Sequence, residues 1–203
     1  MTPSTLWQRL AASALLLFAS AVLASADTVA DYAERIAPLI DPAKLATLKD
    51  RGANPRVQKC VYWLETARRD QVKPEKVLDA ALRAVNVSGD IAKLTKAALL
   101  RNRRIAERLG CLETAGLEEM KHGNAATVRL GPYKGDQLSV DHIIPRAVVP
   151  ELDNVIANLE LLPLRANERK NASIGQRQRD LAKKFHEAGL LSANGYKLVL
   201  RHR

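Results

Sequence analysis

Aromatic residues are scarce. Phe, Trp and Tyr make up 4% of the 203 residues, too few for a recognition surface that stacks many bases on rings. Glycine and proline are also few, 10 and 9, which excludes a collagenous or low-complexity chain. Acidic residues are outnumbered: 22 Asp and Glu stand against 32 Lys and Arg, for a formal net charge of +10 and a pI near 9.9. That excess favours a polyanionic partner, either nucleic acid or an anionic membrane. The chain is 47% apolar, enough to pack a core in one or two domains and too much for a disordered chain.

A long apolar run occurs once. Residues 1–26 carry Arg9, then an apolar stretch from Leu10 to Leu23 interrupted by Ser13 and Ser20, then Ala24-Ser25-Ala26 before Asp27. This is the pattern of a secretory signal peptide. The run is shorter than the roughly 20 residues that a spanning helix needs; an uncleaved anchor is the alternative. The expectation is an exported protein, periplasmic or secreted, with no stable membrane insertion after cleavage. In an oxidising compartment the two cysteines, Cys60 and Cys111, permit one disulfide. Spacing alone leaves two separate buried thiols open, because it does not show that the sulfurs meet. No C-x-x-C pair points to zinc.

From residue 27 to 123 the punctuation is helical. Asp41-Pro42, Asn54-Pro55 and Lys73-Pro74 each put proline where a first turn tolerates it. Val57, Cys60, Val61 and Leu64 recur at helical spacing, as do Val77, Ala80, Ala81, Ala84 and Ile91, Leu94, Ala98; these read as core faces. Gly110 and Gly123 stand where helices stop. Tyr62 and Trp63 read as core and rim residues.

The texture changes at Ala125. Thr127 to Leu130 and Leu138 to Val140 are strand-like runs separated by Gly131, Pro132 and Gly135, a predicted hairpin. Leu159 to Leu162 is a further strand, followed by a polar helix from Pro163 or Leu164. Ser173 with Gln176 has the form of a capping box for a helix ending near Gly189. Asn194-Gly195 reads as a turn into a last strand, Tyr196 to Arg201.

The informative residues are Asp141-His142-Ile143-Ile144-Pro145, then Asn158-Leu159-Glu160-Leu161-Leu162, then Asn167-Glu168-Arg169-Lys170. Their order and spacing resemble the HNH nucleases of the ββα-metal (His-Me finger) superfamily, whose pattern runs D-H-x-x-P, N-L-x-x-L and N-x-x-K. Every fixed position of that pattern is present, over about residues 138–170. The resemblance implies an α+β fold: a signal peptide (1–26), a helical region (27–123) and an HNH ββα-metal module with a C-terminal helix and tail (124–203). Two departures stand out. The cysteines of the structural zinc knuckle found in many relatives are replaced by Pro163 and Ala166, and the glycine pair often found after the proline is replaced by Ala147-Val148-Val149.

The same resemblance implies the chemistry. Hydrolysing a phosphodiester needs a deprotonated water, charge compensation on the phosphoryl oxygens and help for the leaving alkoxide. Histidine is the natural proton acceptor near neutral pH, and the family pattern assigns that role to His142. Asp141 and Asn167 are implied as ligands of one divalent metal ion. Two oxygen donors plus water suit Mg²⁺ or Mn²⁺, with Zn²⁺ less favoured. Asn158 is implied as a positioning residue, bonded to the loop after His142.

Lys170 and Arg169, with Arg146 and Arg165, are candidate phosphate contacts. The basic run that also holds Arg177, Arg179, Lys183 and Lys184 reads as a phosphate-binding face. The implied partner is nucleic acid, DNA ahead of RNA, cut with little sequence preference; the oligomeric state is open. Two rivals stand beside this reading. One is a noncatalytic nucleic-acid or envelope-binding protein that keeps the fold, and the other is a toxin effector. His122, His186 and His202 lack any partner pattern and read as surface or capping residues.

Overall fold

The computed structural model describes residues 27–170 and 172–202. The expected signal peptide, residues 1–26, lies outside the described residues. The chain is α+β: mostly helical, with one two-stranded antiparallel sheet among the described residues. No described helix is long and apolar enough to cross a membrane.

Local chemistry sets the helix starts. α1 (Val29–Ile40) opens on a capping box in which Thr28 Oγ1 accepts from the Asp31 N–H at 3.3 Å and the Asp31 carboxylate accepts from the Thr28 N–H at 2.6 Å. This satisfies two amide donors that the first turn leaves without helical partners. The three prolines picked out in the sequence lie in the first turns of α2 (Pro42–Ala46), α3 (Asn54–Arg69) and α4 (Pro74–Ala84). α5 (Gly89–Arg108) and α6 (Thr114–His122) follow. Gly123 ends α6 at φ +86°, and a Cβ there would stand 2.9 Å from Pro55 Cβ. Glycine is therefore required both by the left-handed turn and by the close approach of α3.

Val57, Cys60, Val61 and Leu64 of α3 are fully buried, as are Val77 and Ala81 of α4. Ala84, expected with them, is exposed in the last turn. Each of the larger side chains contributes roughly 1.5–3 kcal/mol by leaving water. Cys60 and Cys111 are two separate free thiols, not the expected disulfide. Each fills its own place in the core as a small apolar group. The Cys111 thiol donates to the Leu109 carbonyl at 3.7 Å. Burial pushes the thiol pKa up to about 12 at Cys60 and about 11 at Cys111, so neither is a ready nucleophile.

β1 (Leu138–His142) and β2 (Leu159–Pro163) pair with Val140 opposite Leu161 and Asp141 opposite Glu160. A two-stranded ribbon alone is marginal in water. Here amide side chains on the helices close both outer edges. Gln58 Nε2 of α3 donates to the Leu138 carbonyl at 2.7 Å. On the other edge, fully buried Asn102 of α5 imitates a neighbouring strand: its Nδ2 donates to the Leu159 carbonyl and its Oδ1 accepts from the Leu161 N–H, both at 3.0 Å. Leu138, Val140, Leu159 and Leu161 share one continuous core with residues of α1, α3 and α4. A second core joins Ile144, Leu152, Phe185 and Val199 under residues 144–157, α8 (Gln176–Glu187) and α9 (Ala193–Arg201). Between the sheet and α8 lies α7 (Leu164–Arg169).

Three local expectations are corrected. The Thr127–Leu130 strand reduces to a single bridge, Thr127 to Gln137. The N–H groups of Arg129 and Leu130 donate instead to the Leu109 carbonyl, at 2.9 and 3.1 Å, which draws the chain off the ladder. Residues 196–201 are helical, not a strand. Ser192 Oγ accepts from the Gly195 N–H at 2.9 Å, so Asn194-Gly195 becomes the first turn of α9 instead of a hairpin turn. Gly195 and Val199, four apart, are its buried residues. The cap of α8 is Gly175, whose N–H donates to Gln178 Oε1 at 3.1 Å, two residues beyond the expected Ser173.

Truncation of Asn102 to alanine leaves the buried Leu161 N–H without an acceptor. Asn102→Ala is expected to cost about 2–3 kcal/mol, read as a lower urea midpoint at constant slope; an unchanged midpoint would refute the edge-closing role. A second prediction concerns Glu65 of α3, which is 1% exposed and bonded by Arg68, Arg69 and Arg103 at 2.7–3.1 Å. Burial raises its pKa, but the three guanidinium groups outweigh it and hold the carboxyl below its ordinary value. Its stabilisation is therefore complete above the ordinary range of about 4.3 and disappears as pH falls through the lower folded value. Urea midpoints measured down through that range should fall less steeply for Glu65→Gln than for wild type.

Candidate active site

Side chains alternate along a strand, and β1 uses the alternation to divide its residues. Leu138, Val140 and His142 are buried, while Ser139 and Asp141 are half-buried on the other face. α7 lies against that second face. Asn167 Nδ2 donates to Ser139 Oγ at 3.1 Å. One turn further on, the Lys170 ammonium is ion-paired with the Asp141 carboxylate and donates to the His142 carbonyl at 2.7 Å. Glu160 stands opposite Asp141 in the register, a like-charge pair that is unfavourable by itself. Each carboxylate has its own cation: Lys170 for Asp141, and Arg177 for Glu160 in two hydrogen bonds of 2.9 and 2.5 Å.

The turn after β1 is held from within. Asn158, fully buried, accepts at Oδ1 from the Ile144 N–H at 2.8 Å and donates from Nδ2 to the Ile144 carbonyl at 3.0 Å. Its own carbonyl accepts from the Ile143 N–H at 2.8 Å. One residue thus clamps the backbone that leaves His142. The imidazole, 4% exposed, points Nε2 at the Asp153 carbonyl, 2.8 Å away, and at Asp153 Oδ1, 3.0 Å away. A carbonyl only accepts, so Nε2 carries the proton and the lone pair of the neutral ring lies on Nδ1. No described residue hydrogen-bonds Nδ1.

A cavity of about 800 Å³ opens here, lined by Asp141, His142, Asn167 and Lys170 together with Arg146 and Arg51. β1 ends at His142, so neighbours that point to opposite faces both reach the space around the strand end. Asp141 and Asn167 both line the cavity, and Asp141 Oδ1 and Asn167 Oδ1 accept no hydrogen bond from described residues. Two residues with hard oxygen donors on a space with room for water are a set that fits Mg²⁺ or Mn²⁺. Among the described residues, no group of three or more His, Cys, Asp or Glu is placed to hold a metal ion. A cation at this site would therefore take most of its ligands from water and substrate.

The other sequence candidates are placed differently. Arg146 reaches Asp153 at 3.5 Å and Asp50 at 3.6 Å. Arg165 does not line the cavity; it is paired with Asp136 at 2.5 Å. Arg169 is exposed and outside the cavity lining. The basic run from 165 to 184 is not one face: Arg177 serves Glu160, and Arg179 donates to the carbonyls of Val199, Leu200 and His202 at the end of α9, at 2.8–3.2 Å. Three charged cavity residues had no role assigned from the sequence: Asp153, Arg51 and Glu168. Asp153 sits in an irregular loop where no spacing rule links it to His142, and Arg51 comes from the helical region, far from the motif.

In comparison with known proteins, no family model, curated protein or solved structure matches the chain.

The tautomer is open to direct measurement. Long-range ¹⁵N–¹H correlation spectra of histidine-labelled protein with the imidazole neutral should show Nε2 protonated and Nδ1 bare. The opposite tautomer would contradict the hydrogen bond to the Asp153 carbonyl.

Proposed function

We propose that this chain is an exported, metal-dependent endonuclease of the HNH (ββα-metal) kind that hydrolyses nucleic-acid phosphodiester bonds with low sequence specificity, DNA ahead of RNA. The observation that carries the reading is the bare Nδ1 of a fixed His142 in a cavity also lined by Asp141, Asn167 and Lys170. The order of elements supports it too: strand, gripped turn, strand, then a short helix returning Asn167 and Lys170 to the first strand. Export rests on the sequence of residues 1–26 alone.

In this reading His142 Nδ1 takes a proton from a water held in the cavity. The Asp153 carboxylate at 3.0 Å steadies the imidazolium that forms, and the Asp153 carbonyl keeps the ring from rotating. The water oxygen forms a bond to phosphorus while the bond to the 3′ oxygen breaks, leaving a 5′-phosphate and a 3′-hydroxyl whose proton comes from solvent. Asp141 and Asn167 would hold a divalent cation, which when bound would supply charge compensation for the phosphoryl oxygens. Asn158 acts only through position, by fixing the turn that carries the imidazole. Lys170 is both the partner of Asp141 and a charge within reach of phosphate.

One observation favours the noncatalytic reading, a nucleic-acid or envelope-binding protein retaining the fold. Lys170 already neutralises Asp141, so the carboxylate is satisfied without a metal. The two readings part in a plasmid assay. Supercoiled DNA incubated with the protein and Mg²⁺ or Mn²⁺ should be nicked and linearised, EDTA should stop the reaction, and His142→Ala should slow it by about 10²–10⁴-fold. Cutting by His142→Ala at the wild-type rate removes His142 from the mechanism, and wild-type inactivity on both DNA and RNA leaves the noncatalytic reading.

A further inference from the structure

Three cations line the cavity: Arg51, Arg146 and Lys170. Two are already engaged by carboxylates of the chain. Lys170 pairs with Asp141, and Arg146 lies between Asp50 and Asp153 at 3.6 and 3.5 Å. The Arg51 guanidinium has no hydrogen bond or ion pair with any described residue. Among the described cavity residues it is the cation whose charge is still available.

Its backbone, by contrast, is held. The Arg51 N–H points at Asp153 Oδ2, 3.5 Å away, and its carbonyl accepts from the Asn54 N–H at 2.9 Å. On either side, Asn154 closes the segment: Oδ1 accepts from the Ala53 N–H and Nδ2 donates to the Leu48 carbonyl, both at 3.0 Å. Asp153, which orients His142, and the adjacent Asn154 therefore also anchor the segment that presents Arg51. Asp50 and Arg51 have φ of +39° and +59°, a conformation that residues other than glycine adopt at a cost.

We propose that Arg51 is a phosphate-binding residue of the site: its guanidinium takes the non-bridging oxygens of a backbone phosphodiester seated in the cavity. The inference rests on the nuclease reading and extends it, because it makes the helical region part of the substrate surface. A guanidinium matches two phosphate oxygens at once, and a contact to the backbone carries no sequence information. The ligand class is a phosphodiester polyanion.

The test uses the full chain carrying His142→Ala, so that substrate survives, and a short fluorescein-labelled DNA duplex followed by anisotropy over a series of KCl concentrations. Arg51→Asn is the neutral variant of choice, since asparagine tolerates positive φ. Adding it should weaken binding about tenfold and make the slope of log K against log[salt] shallower by about 1. Arg51→Lys should restore the slope, because charge sets it, but only part of the affinity, because the two-pronged contact is lost. Thermal unfolding of each variant at the parent temperature excludes a folding defect. If Arg51→Asn alone misfolds, Arg51→Lys decides, and full parental affinity there overturns the proposal. Equal affinity and slope in Arg51→Asn also overturn it, and leave the nuclease reading intact if the wild-type chain still cuts plasmid. Failure of the wild-type chain to cut, with no duplex binding by the parent, overturns both.

Discussion

A β-strand cannot point two consecutive side chains the same way, and the site is arranged around that constraint. Asp141 and His142 belong to opposite faces of β1, yet both border one cavity because His142 is the last residue of the strand. Beyond it the chain must turn sharply, and that turn would wander if its backbone groups were left to water. Asn158 prevents this by taking the donor and the acceptor of Ile144 at once. Its amide is worth about 1–3 kcal/mol in hydrogen bonds otherwise left unmade in the interior. It also sets the position of the ring that precedes the turn, and Asp153 then sets the ring's rotation and tautomer.

The sheet depends on the helices as much as the site depends on the sheet. Two strands bury too little alone, and their outer edges expose amides that would otherwise recruit another strand. Gln58 from α3 and Asn102 from α5 occupy those edges. Leu138, Val140, Leu159 and Leu161 extend the helical core instead of starting a new one. The helical region is thus the other half of the sheet's environment, and through Arg51 it also lines the cavity.

Part of the positive charge of the chain is taken up in local pairing. Arg177 answers Glu160, Arg165 answers Asp136, Lys170 answers Asp141, and three arginines converge on Glu65. Arg179 serves backbone carbonyls at the end of α9. A net charge of +10 still raises the local concentration of polyanions by its long-range field.

Helix starts at Pro42, Pro55 and Pro74, the strands at 138 and 159, and the polar helix at 164 were legible in the amino-acid order because each is encoded within a few residues. Proline fixes its own φ, and alternating burial needs only neighbours. Asp141, His142, Asn158, Asn167 and Lys170 were singled out by resemblance to the HNH pattern; Asp141, His142, Asn167 and Lys170 line one cavity, and Asn158 holds the turn after His142. Other features were not readable that way. Residues 196–201 alternate like a strand, yet Ser192 and the packing of Gly195 and Val199 make them a helix. Arg129 and Leu130 leave the ladder for the Leu109 carbonyl, and Cys60 and Cys111 remain free thiols in the core. Asp153 and Arg51 enter the site only because the chain folds back on itself. Short-range chemistry chose the elements, and contacts between segments far apart in the chain chose their partners. No local pattern records the position of a residue a hundred places away.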